Sequence, residues 1–461
     1  MMQYVGIGIA SLLVYIVSII IINVLLKRKM GEAMGWASLI LLIMAAAFAG
    51  KDPIAFGADA LAYAGRQEVV YAGLAFSFMA FFMDKTGIIE RLVTILNSLL
   101  GRLPGGAAYV STIGCALFGM ISGVASANTA SIGSVMIPWM KQTGWSPERS
   151  AEMVAGNGGL GNIFPPSTVM LLILALPAVE KELTAGELYV GLMSVGAFVM
   201  AFRLFVVWYF TKLDGIKPIP KDQIVPLGKA LKENGSALLI FLGVIIPLML
   251  TMGPTGEWVK ANLAGTKGAF KSISIIFWIP VLITLIAALE GWKQLPRTLK
   301  GWHELFRDGA RKFGDLGALL FFAFVSTRIL NKVGLTEEFQ NVFTVIGQYS
   351  PLYVIFGIAI IITLMVGPFN STGTTTAVGA ACYAAFRAIG IPPVVAAVAF
   401  INLVSNQSCV PPNSAPIYIA AGIAGVEDPI KMFKNLVVFY ALPEVIISVL
   451  VLLRIIPVYG A

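Results

Sequence analysis

Hydroxyl and amide side chains are concentrated in a short segment that strongly apolar sequence flanks on both sides. The segment ISGVASANTASIGSV, at 121–135, contains Ser122, Ser126, Asn128 and Thr129, between the runs STIGCALFGM and MIPWM. Oxygen ligands of this kind suit a small, hard cation such as Na+ better than a soft transition metal. The segment therefore predicts a polar kink, able to bind a cation, inside an apolar chain.

A second polar interruption follows at AGNGGLGNIFPPS, residues 155–167. Pro165 and Pro166 lack amide donors and leave upstream carbonyl oxygens unpaired, while the glycines allow other backbone to approach closely. We interpret the kink at 121–135 as the tip of a hairpin and residues 155–167 as a break in the next helix. Together the tip and the break predict Na+ ligands at Ser122, Ser126, Asn128, Thr129, Gly156, Asn157 and Gly161.

The same arrangement returns downstream as GPFNSTGTTT, at 367–376, followed by NLVSNQSCVPPNS, at 402–414. The predicted cation ligands of this second set are Gly367, Asn370, Thr372, Thr375, Ser405 and Ser408. Residues between the two sets are predicted to contact a substrate: Asn128, Asn162, Pro165, Pro166, Ser371, Thr374, Asn406, Pro411 and Pro412. Helix N-termini at such tips and breaks would favour an anion.

The composition of the chain indicates that these segments lie in a membrane. Of the 461 residues, 58% are hydrophobic and only 12% are charged, whereas soluble domains carry roughly 25% charged residues. Apolar runs such as 4–26 are long enough to cross a hydrocarbon core of about 30 Å. Irregular backbone is tolerated in that core only where protein or a water-filled cavity surrounds it. The kinks are therefore predicted to lie inside a polytopic, all-α membrane protein.

An internal repeat relates the two polar sets. Thr129 and Gly133 correspond to Thr375 and Gly379 at an offset of 246 positions. The same offset relates Gly144, Pro147 and Pro165–Pro166 to Gly390, Pro393 and Pro411–Pro412. Matches that fall on helix breakers in register indicate two homologous halves.

Each half is predicted to have five spans, counting each hairpin as re-entrant, so that the second half is inverted relative to the first. An interfacial arm helix is predicted in each half, at 87–103 and 334–348. The predicted division is a first inverted repeat at 1–210 (hairpin 105–142, broken helix 147–177), a cytoplasmic linker at 211–236, and a second inverted repeat at 237–461 (hairpin 351–389, broken helix 392–421). Midplane helix breaks in inverted pairs are typical of secondary transporters.

Basic residues set the predicted orientation. Lys27, Arg28 and Lys29 follow the first span, and more lysines and arginines lie at 212–232 and in a predicted loop at 293–312. Because cytoplasmic loops carry the basic excess, these segments are placed inside. Both termini are then predicted to be periplasmic.

Other functional classes lack the residues they need. The single histidine, His303, and three cysteines without a CxxC pair offer neither a catalytic nor a structural metal set. No enzyme activity and no cofactor are expected, with Na+ as the only metal.

Arg203 and Glu444 lie within spans, and two readings of them stay open: a structural ion pair or an interface to another subunit. With so few ionisable residues in the spans, Na+ coupling is favoured over H+ coupling. A channel would not need inverted midplane breaks.

The sequence resembles the large membrane subunit of TRAP (tripartite ATP-independent periplasmic) transporters. The resemblance rests on GRLPGGAAYVSTIGCALFGMISGVASANTASIGSVMIPWM and GWSPERSAEMVAGNGGLGNIFPPS. The matching positions are Ser122-Gly123, Ala125, Ala127, Gly133, Pro138-Trp139-Met140, Gly144-Trp145, Gly159-Leu160-Gly161 and Pro165-Pro166-Ser167. Val124 departs from the pattern, since the family usually has serine there, and the loop at 253–271 looks longer than usual.

The resemblance implies an elevator-type, Na+-coupled importer of organic acids, of the ion transporter superfamily, in the bacterial inner membrane. It also implies two partners, a small four-helix membrane subunit and a periplasmic substrate-binding protein that delivers the ligand. The loop at 253–271 would be a candidate docking surface for the latter. A stand-alone carrier similar to the dicarboxylate/sodium symporters is the alternative.

Overall fold

The computed structural model describes residues 6–459 except 51, 123–124, 221–223, 252, 264–274, 336, 339–340, 343–344, 346–349 and 412–413. Regular structure in these ranges is helical throughout. The α-helices are Ile7–Ile20, Met30–Ala49, Pro53–Gly65, Glu68–Lys85, Ile88–Leu100, Gly106–Ser122, Ala125–Gln142, Pro147–Gly158, Leu160–Ile163, Thr168–Leu174, Pro177–Glu182, Ala185–Leu213, Leu227–Asn234, Leu242–Thr251, Gly253–Leu263, Ile275–Glu290, Leu299–Lys332, Pro351–Ala388, Pro393–Ser405, Ala415–Ala424, Ile430–Leu436 and Leu442–Leu452. Short 3-10 segments occupy Gly235–Phe241 and Asn406–Ser408, and π-helical segments Ile21–Leu25 and Val437–Ala441.

Four helical stretches of the described chain are long and apolar enough to cross a membrane: Gly31–Ala49, Ala185–Leu213, Leu227–Thr251 and Ile430–Leu452. Six shorter apolar helices, of 10–17 residues, accompany them. The protein is therefore a multi-pass helical membrane protein. The prediction of five spans in each half stays a prediction, because many of these helices are too short to be counted as spans by length.

The first segment predicted as an interfacial helix is helical over Ile88–Leu100. It meets Val70–Lys85 at an angle of 67°, and the chain turns at Gly87, whose φ is 66°. Its buried residues Ile88, Leu92 and Ile95 follow helical spacing, so that one face packs on the protein. The second interfacial stretch, 334–348, lies partly outside the described residues.

The prediction of a loop at 293–312 was wrong, because most of this segment is helical. Helix Leu299–Lys332 runs for 34 residues and includes its basic segment. The ring centroids of Trp302 and Phe82 lie 6.3 Å apart, and those of Phe306 and Phe78 lie 6.1 Å apart, and both pairs are stacked. These contacts pack an aromatic face of this helix against helix Glu68–Lys85, which the charge pattern alone did not indicate. The loop predicted at 253–271 likewise begins as helix Gly253–Leu263, and its residues 264–271 lie outside the described part.

Four elements position the predicted site. The first hairpin comprises Gly106–Ser122 and Ala125–Gln142, and the second hairpin is Pro351–Ala388. The first break is residues 156–167, and the second break is residues 402–414. Within the second hairpin only Asn370 leaves helical geometry, with φ 56° and ψ 174°.

The offset of 246 positions also relates the helix boundaries. The helices that lead into the two breaks begin at Pro147 and at Pro393. The division into two inverted repeats stays a prediction, which this correspondence favours.

A carboxylate from the second half caps the first helix. Glu338 accepts hydrogen bonds from the backbone N–H groups of Gly6, Gly8 and Ile9, at 2.8–3.0 Å. The first N–H groups of a helix have no partner within it, and a negative charge there is favourable.

We expect Glu338→Ala to lower the free energy of unfolding by about 0.5–2 kcal/mol, the range for loss of a helix cap. The measurement is the melting temperature of the purified full chain. Glu337→Ala, at the exposed neighbouring carboxylate, is the control. Equal melting temperatures for the two variants would contradict the capping role.

Candidate ion and substrate site

Asn128 ties the first hairpin together and joins it to the first break. Its amide nitrogen Nδ2 donates to the carbonyl of Cys115 on the opposite arm, at 2.8 Å, and to the carbonyl of Gly158, at 3.1 Å. Gly114 and Ile132 also face each other across the arms, because a Cβ on Gly114 would lie 3.5 Å from the Ile132 side chain. The hairpin arms therefore fold back on each other, and their polar side points into the protein.

The two breaks meet at Gly158 and Gly159. A Cβ on Gly158 would lie 2.2 Å from Oγ1 of Thr129, and one on Gly159 would lie 2.3 Å from the carbonyl oxygen of Ser405 and 2.7 Å from Oγ of Ser408. Only glycine permits this approach. We call this meeting point the junction, and it brings together predicted ligands of both halves.

The second hairpin reaches both breaks through Ser371. The hydroxyl of Ser371 accepts a hydrogen bond from Nδ2 of Asn162 at 3.2 Å and donates one to Oε1 of Gln407. The backbone N–H of Ser371 also donates to Oε1 of Gln407, at 2.8 Å. Asn370, next to it, accepts from the N–H of Gly373 through Oδ1 at 2.9 Å and so caps the second arm.

Sequence reasoning missed Gln407, which links the second hairpin to the second break. The only signal was its position in the polar run NQS, between two predicted site residues. A glutamine that accepts from both a hydroxyl and a main-chain N–H fixes the tip geometry, as hydrogen-bonded buried amides generally do.

Removing the Ser371 hydroxyl leaves Asn162 and Gln407 each without that partner. We expect Ser371→Ala to lower the free energy of unfolding by about 1–3 kcal/mol, the usual cost of unsatisfied buried polar atoms. The check is a thermal melt beside Thr376→Ala, whose hydroxyl bonds only to the carbonyl of Thr372 in its own helix. Identical melts for the two variants would rule out the bridging role of Ser371.

Buried oxygen atoms without a hydrogen-bond partner occur in this region. Among the described residues, several buried side-chain oxygens of predicted site residues have no hydrogen-bond partner. They are Oδ1 of Asn128, Asn157 and Asn162 and Oγ1 of Thr129 and Thr374. Leaving a buried acceptor unpaired costs about 1–3 kcal/mol, so such atoms need a reason. Cation coordination supplies one, because neutral oxygens are the ligands of hard ions.

The amide nitrogens near these oxygens are already used. Nδ2 of Asn157 donates to Oγ1 of Thr112 at 2.9 Å, and those of Asn128 and Asn162 make the bonds given above. Thus each of the three amides has its donor side fixed and its acceptor side free. No cluster of three or more His, Cys, Asp or Glu side chains that could hold a metal occurs in the described ranges, so a cation there would be held by neutral oxygens.

Other predicted residues take supporting places. The carbonyl of Gly156 lies 3.4 Å from Oγ of Ser408, and the hydroxyl of Thr375 donates to the carbonyl of Ser371. Pro165 and Pro166 form the buried link to Ser167, which caps the next helix by accepting from the N–H of Met170 at 3.2 Å.

The remaining predicted residues lie around or away from the junction. Asn406 points away from it, because its Nδ2 donates to the carbonyl of Ala441 on the last span. Gly161 lies beside Nδ2 of Asn128. Gly367 lies beside the carbonyl oxygens of Val410 and Pro411.

Four predicted residues complete the set. Ser126 and Thr372 are half-buried near the two tips. The side chain of Ser122 and the whole of Pro412 lie outside the described residues.

Arg203 and Glu444 form an ion pair with each other. Nη2 of Arg203 contacts Oε2 of Glu444, and both side chains are buried. The guanidinium also lies over the ring of Tyr440, 4.6 Å from its centroid. Of the two readings that the sequence left open, the structure shows the pair within one chain.

Comparison with known proteins identifies the family of the chain. The family described as "Tripartite ATP-independent periplasmic transporter, DctM component" matches residues 17–459. The chain is 24% identical over 381 residues to the C4-dicarboxylate TRAP transporter large permease protein DctM of Vibrio cholerae, covering 79% of this chain and 78% of that protein. It is 22% identical over 378 residues to the 2,3-diketo-L-gulonate TRAP transporter large permease protein YiaN of Escherichia coli, covering 79% and 82%.

A solved structure shares the fold. The YdaH transporter of Alcanivorax borkumensis superposes with a TM-score of 0.66 at 14% identity, over 92% of this chain and 98% of that one. At that identity the likeness concerns the fold alone. Because the family match spans both hairpins and both breaks, the chain belongs to the DctM family and is a large membrane permease subunit of a TRAP transporter, not an enzyme.

Proposed function

We propose that this permease subunit couples Na+ entry to the import of an organic acid across the bacterial inner membrane. The observation that carries the proposal is the set of buried, unpartnered oxygens at the junction and the tips. Neutral oxygens favour a hard cation. The buried ionisable groups beside the junction, Arg203 and Glu444, are engaged with each other, which favours Na+ over a proton as the coupling ion.

The names of the relatives and the polar residues at the second hairpin tip support the proposed class of substrate. The relatives above are named for C4-dicarboxylates and for 2,3-diketo-L-gulonate. In this chain, Asn162 and Ser371 bring the first break to the second hairpin, and Thr374 adds an unpartnered hydroxyl one turn away. We place the carboxylate of the substrate next to this contact, where the unpartnered hydroxyl of Thr374 can donate a hydrogen bond to it.

Transport by an elevator motion of inverted repeats is also proposed. Two features support it: the helix boundaries repeat at the offset of 246 positions, and a groove of about 530 Å³ separates helix Ile88–Leu100 from the second arm of the first hairpin. Glu90 and Asn97 line one side of the groove, and Ser131 and Trp139 line the other. Such a gap leaves the hairpin room to move past the interfacial helix.

The family works with a small membrane subunit and a periplasmic substrate-binding protein, and we propose both as partners here. The test is uptake of labelled organic acids, C4-dicarboxylates first, into proteoliposomes that contain this chain and its small subunit, with the binding protein outside. We expect uptake to require the binding protein and an inward Na+ gradient. Uptake driven by a proton gradient without Na+ would overturn the coupling, and uptake without the binding protein would favour a stand-alone carrier.

A further inference from the structure

The second break is bound to the last span by a row of polar contacts. Nδ2 of Asn402 donates to Oγ of Ser448 at 2.8 Å and lies 3.3 Å from the carbonyl of Glu444. One turn further along, the hydroxyl of Ser405 lies 2.9 Å from Oε1 of Glu444. These contacts lie at helical spacing on both partners, so they hold one face of the break against one face of the span.

Ser405 faces two ways. Its hydroxyl points to the Glu444 carboxylate, whereas its carbonyl oxygen faces Gly159 of the first break. The hydroxyl also lies 2.6 Å from the carbonyl of Asn402, but a charged acceptor makes the stronger hydrogen bond. The side chain is thus an anchor, and the main-chain oxygen is the group presented to the junction.

Arg203 fixes the carboxylate that holds this anchor. Its contact with Oε2 of Glu444 leaves Oε1 for Ser405. A buried ion pair is poor evidence of stability, since apolar replacements are often neutral or stabilising. Its position next to the predicted ion site points to a different role.

We infer that Glu444, held by Arg203, is a positioning residue for Na+: it anchors the Ser405 hydroxyl so that the Ser405 carbonyl oxygen points into the junction. This inference rests on the proposed Na+ coupling. It assigns the buried pair a role in cation affinity, exerted through Ser405 and without contact to the ion.

Two double variants isolate the anchoring hydrogen bond. Both remove the arginine, so that neither leaves a charge unpaired. Arg203→Met with Glu444→Gln keeps an oxygen acceptor for Ser405, whereas Arg203→Met with Glu444→Leu has none. The readout is the rise in melting temperature of the purified full chain as NaCl replaces choline chloride at constant ionic strength.

We expect the Na+ midpoint of the leucine variant to rise about tenfold and that of the glutamine variant to rise about threefold, because the glutamine keeps an oxygen acceptor for Ser405 but loses the charge and the contact with Arg203. Ser405→Ala is expected to show the same tenfold rise, and to add nothing to the leucine variant, because both changes release the same anchor. Ser448→Ala, which alters the row of contacts without touching Ser405, should keep the wild-type midpoint.

Three results would overturn the inference. A wild-type midpoint in the leucine variant makes the pair purely structural, and a hundredfold rise in the triple variant makes Ser405 and Glu444 independent. If the leucine variant does not fold, a wild-type midpoint in Ser405→Ala decides against the anchor. Absence of any Na+ response in the wild type is a separate outcome, which removes the proposed coupling itself.

Discussion

Replacing Asn128 by alanine is expected to abolish the Na+ response of the protein. The change removes an unpartnered oxygen from the predicted site and also two hydrogen bonds, to the carbonyls of Cys115 and Gly158. Without these bonds the opposite arm and the first break are no longer tied to the segment that carries the other site oxygens. We therefore expect the Na+ midpoint to rise at least a hundredfold, measured by melting temperature in NaCl against choline chloride.

The control for this change lies on the same arm of the first hairpin. Ser134 is exposed, and its hydroxyl donates only to the nearby carbonyl of Ser131. Ser134→Ala should therefore keep the wild-type Na+ midpoint. A wild-type midpoint in Asn128→Ala would remove Asn128 from the cation site.

Replacing Gly159 by alanine is expected to force the two breaks apart. The new Cβ would lie 2.3 Å from the carbonyl oxygen of Ser405 and 2.7 Å from Oγ of Ser408. Overpacking of this kind costs about 1–3 kcal/mol. Because the displaced atoms belong to the predicted site, uptake in proteoliposomes should be lost even in the fraction that folds.

A second glycine gives the matched comparison. Gly422 lies in a helix after the second break, and a Cβ there would meet nothing within 4 Å. Alanine is the better helix former by about 1 kcal/mol, so Gly422→Ala should be neutral or slightly stabilising and should transport normally. Normal uptake by Gly159→Ala would contradict close contact of the breaks.

Local features of the site were predictable because glycine and proline interrupt helices wherever they occur. The helix ends at Gly158 and Ser405 fall within the segments predicted from polar residues in apolar sequence. Short-range rules of this kind need only the chain neighbours of each residue.

Contacts between distant segments were not predictable. The meeting of Gly159 with Ser405 joins residues from different halves, and the role of Gln407 depends on a tip 36 positions away. Asn406 was predicted to face the substrate, yet its amide points to Ala441 because the last span packs on that side. A single sequence carries no signal for which faces of two helices will pack together.

The cap that Glu338 places on the first helix has a consequence for the order of assembly. The helix begins at Ile7, but its capping carboxylate is 332 positions from Gly6. During synthesis, which proceeds from the N-terminus, the first helix therefore enters the bilayer with its leading N–H groups still exposed. Its cap is completed only after the ribosome has made Glu338, so a helix that is synthesised early reaches its final structure late.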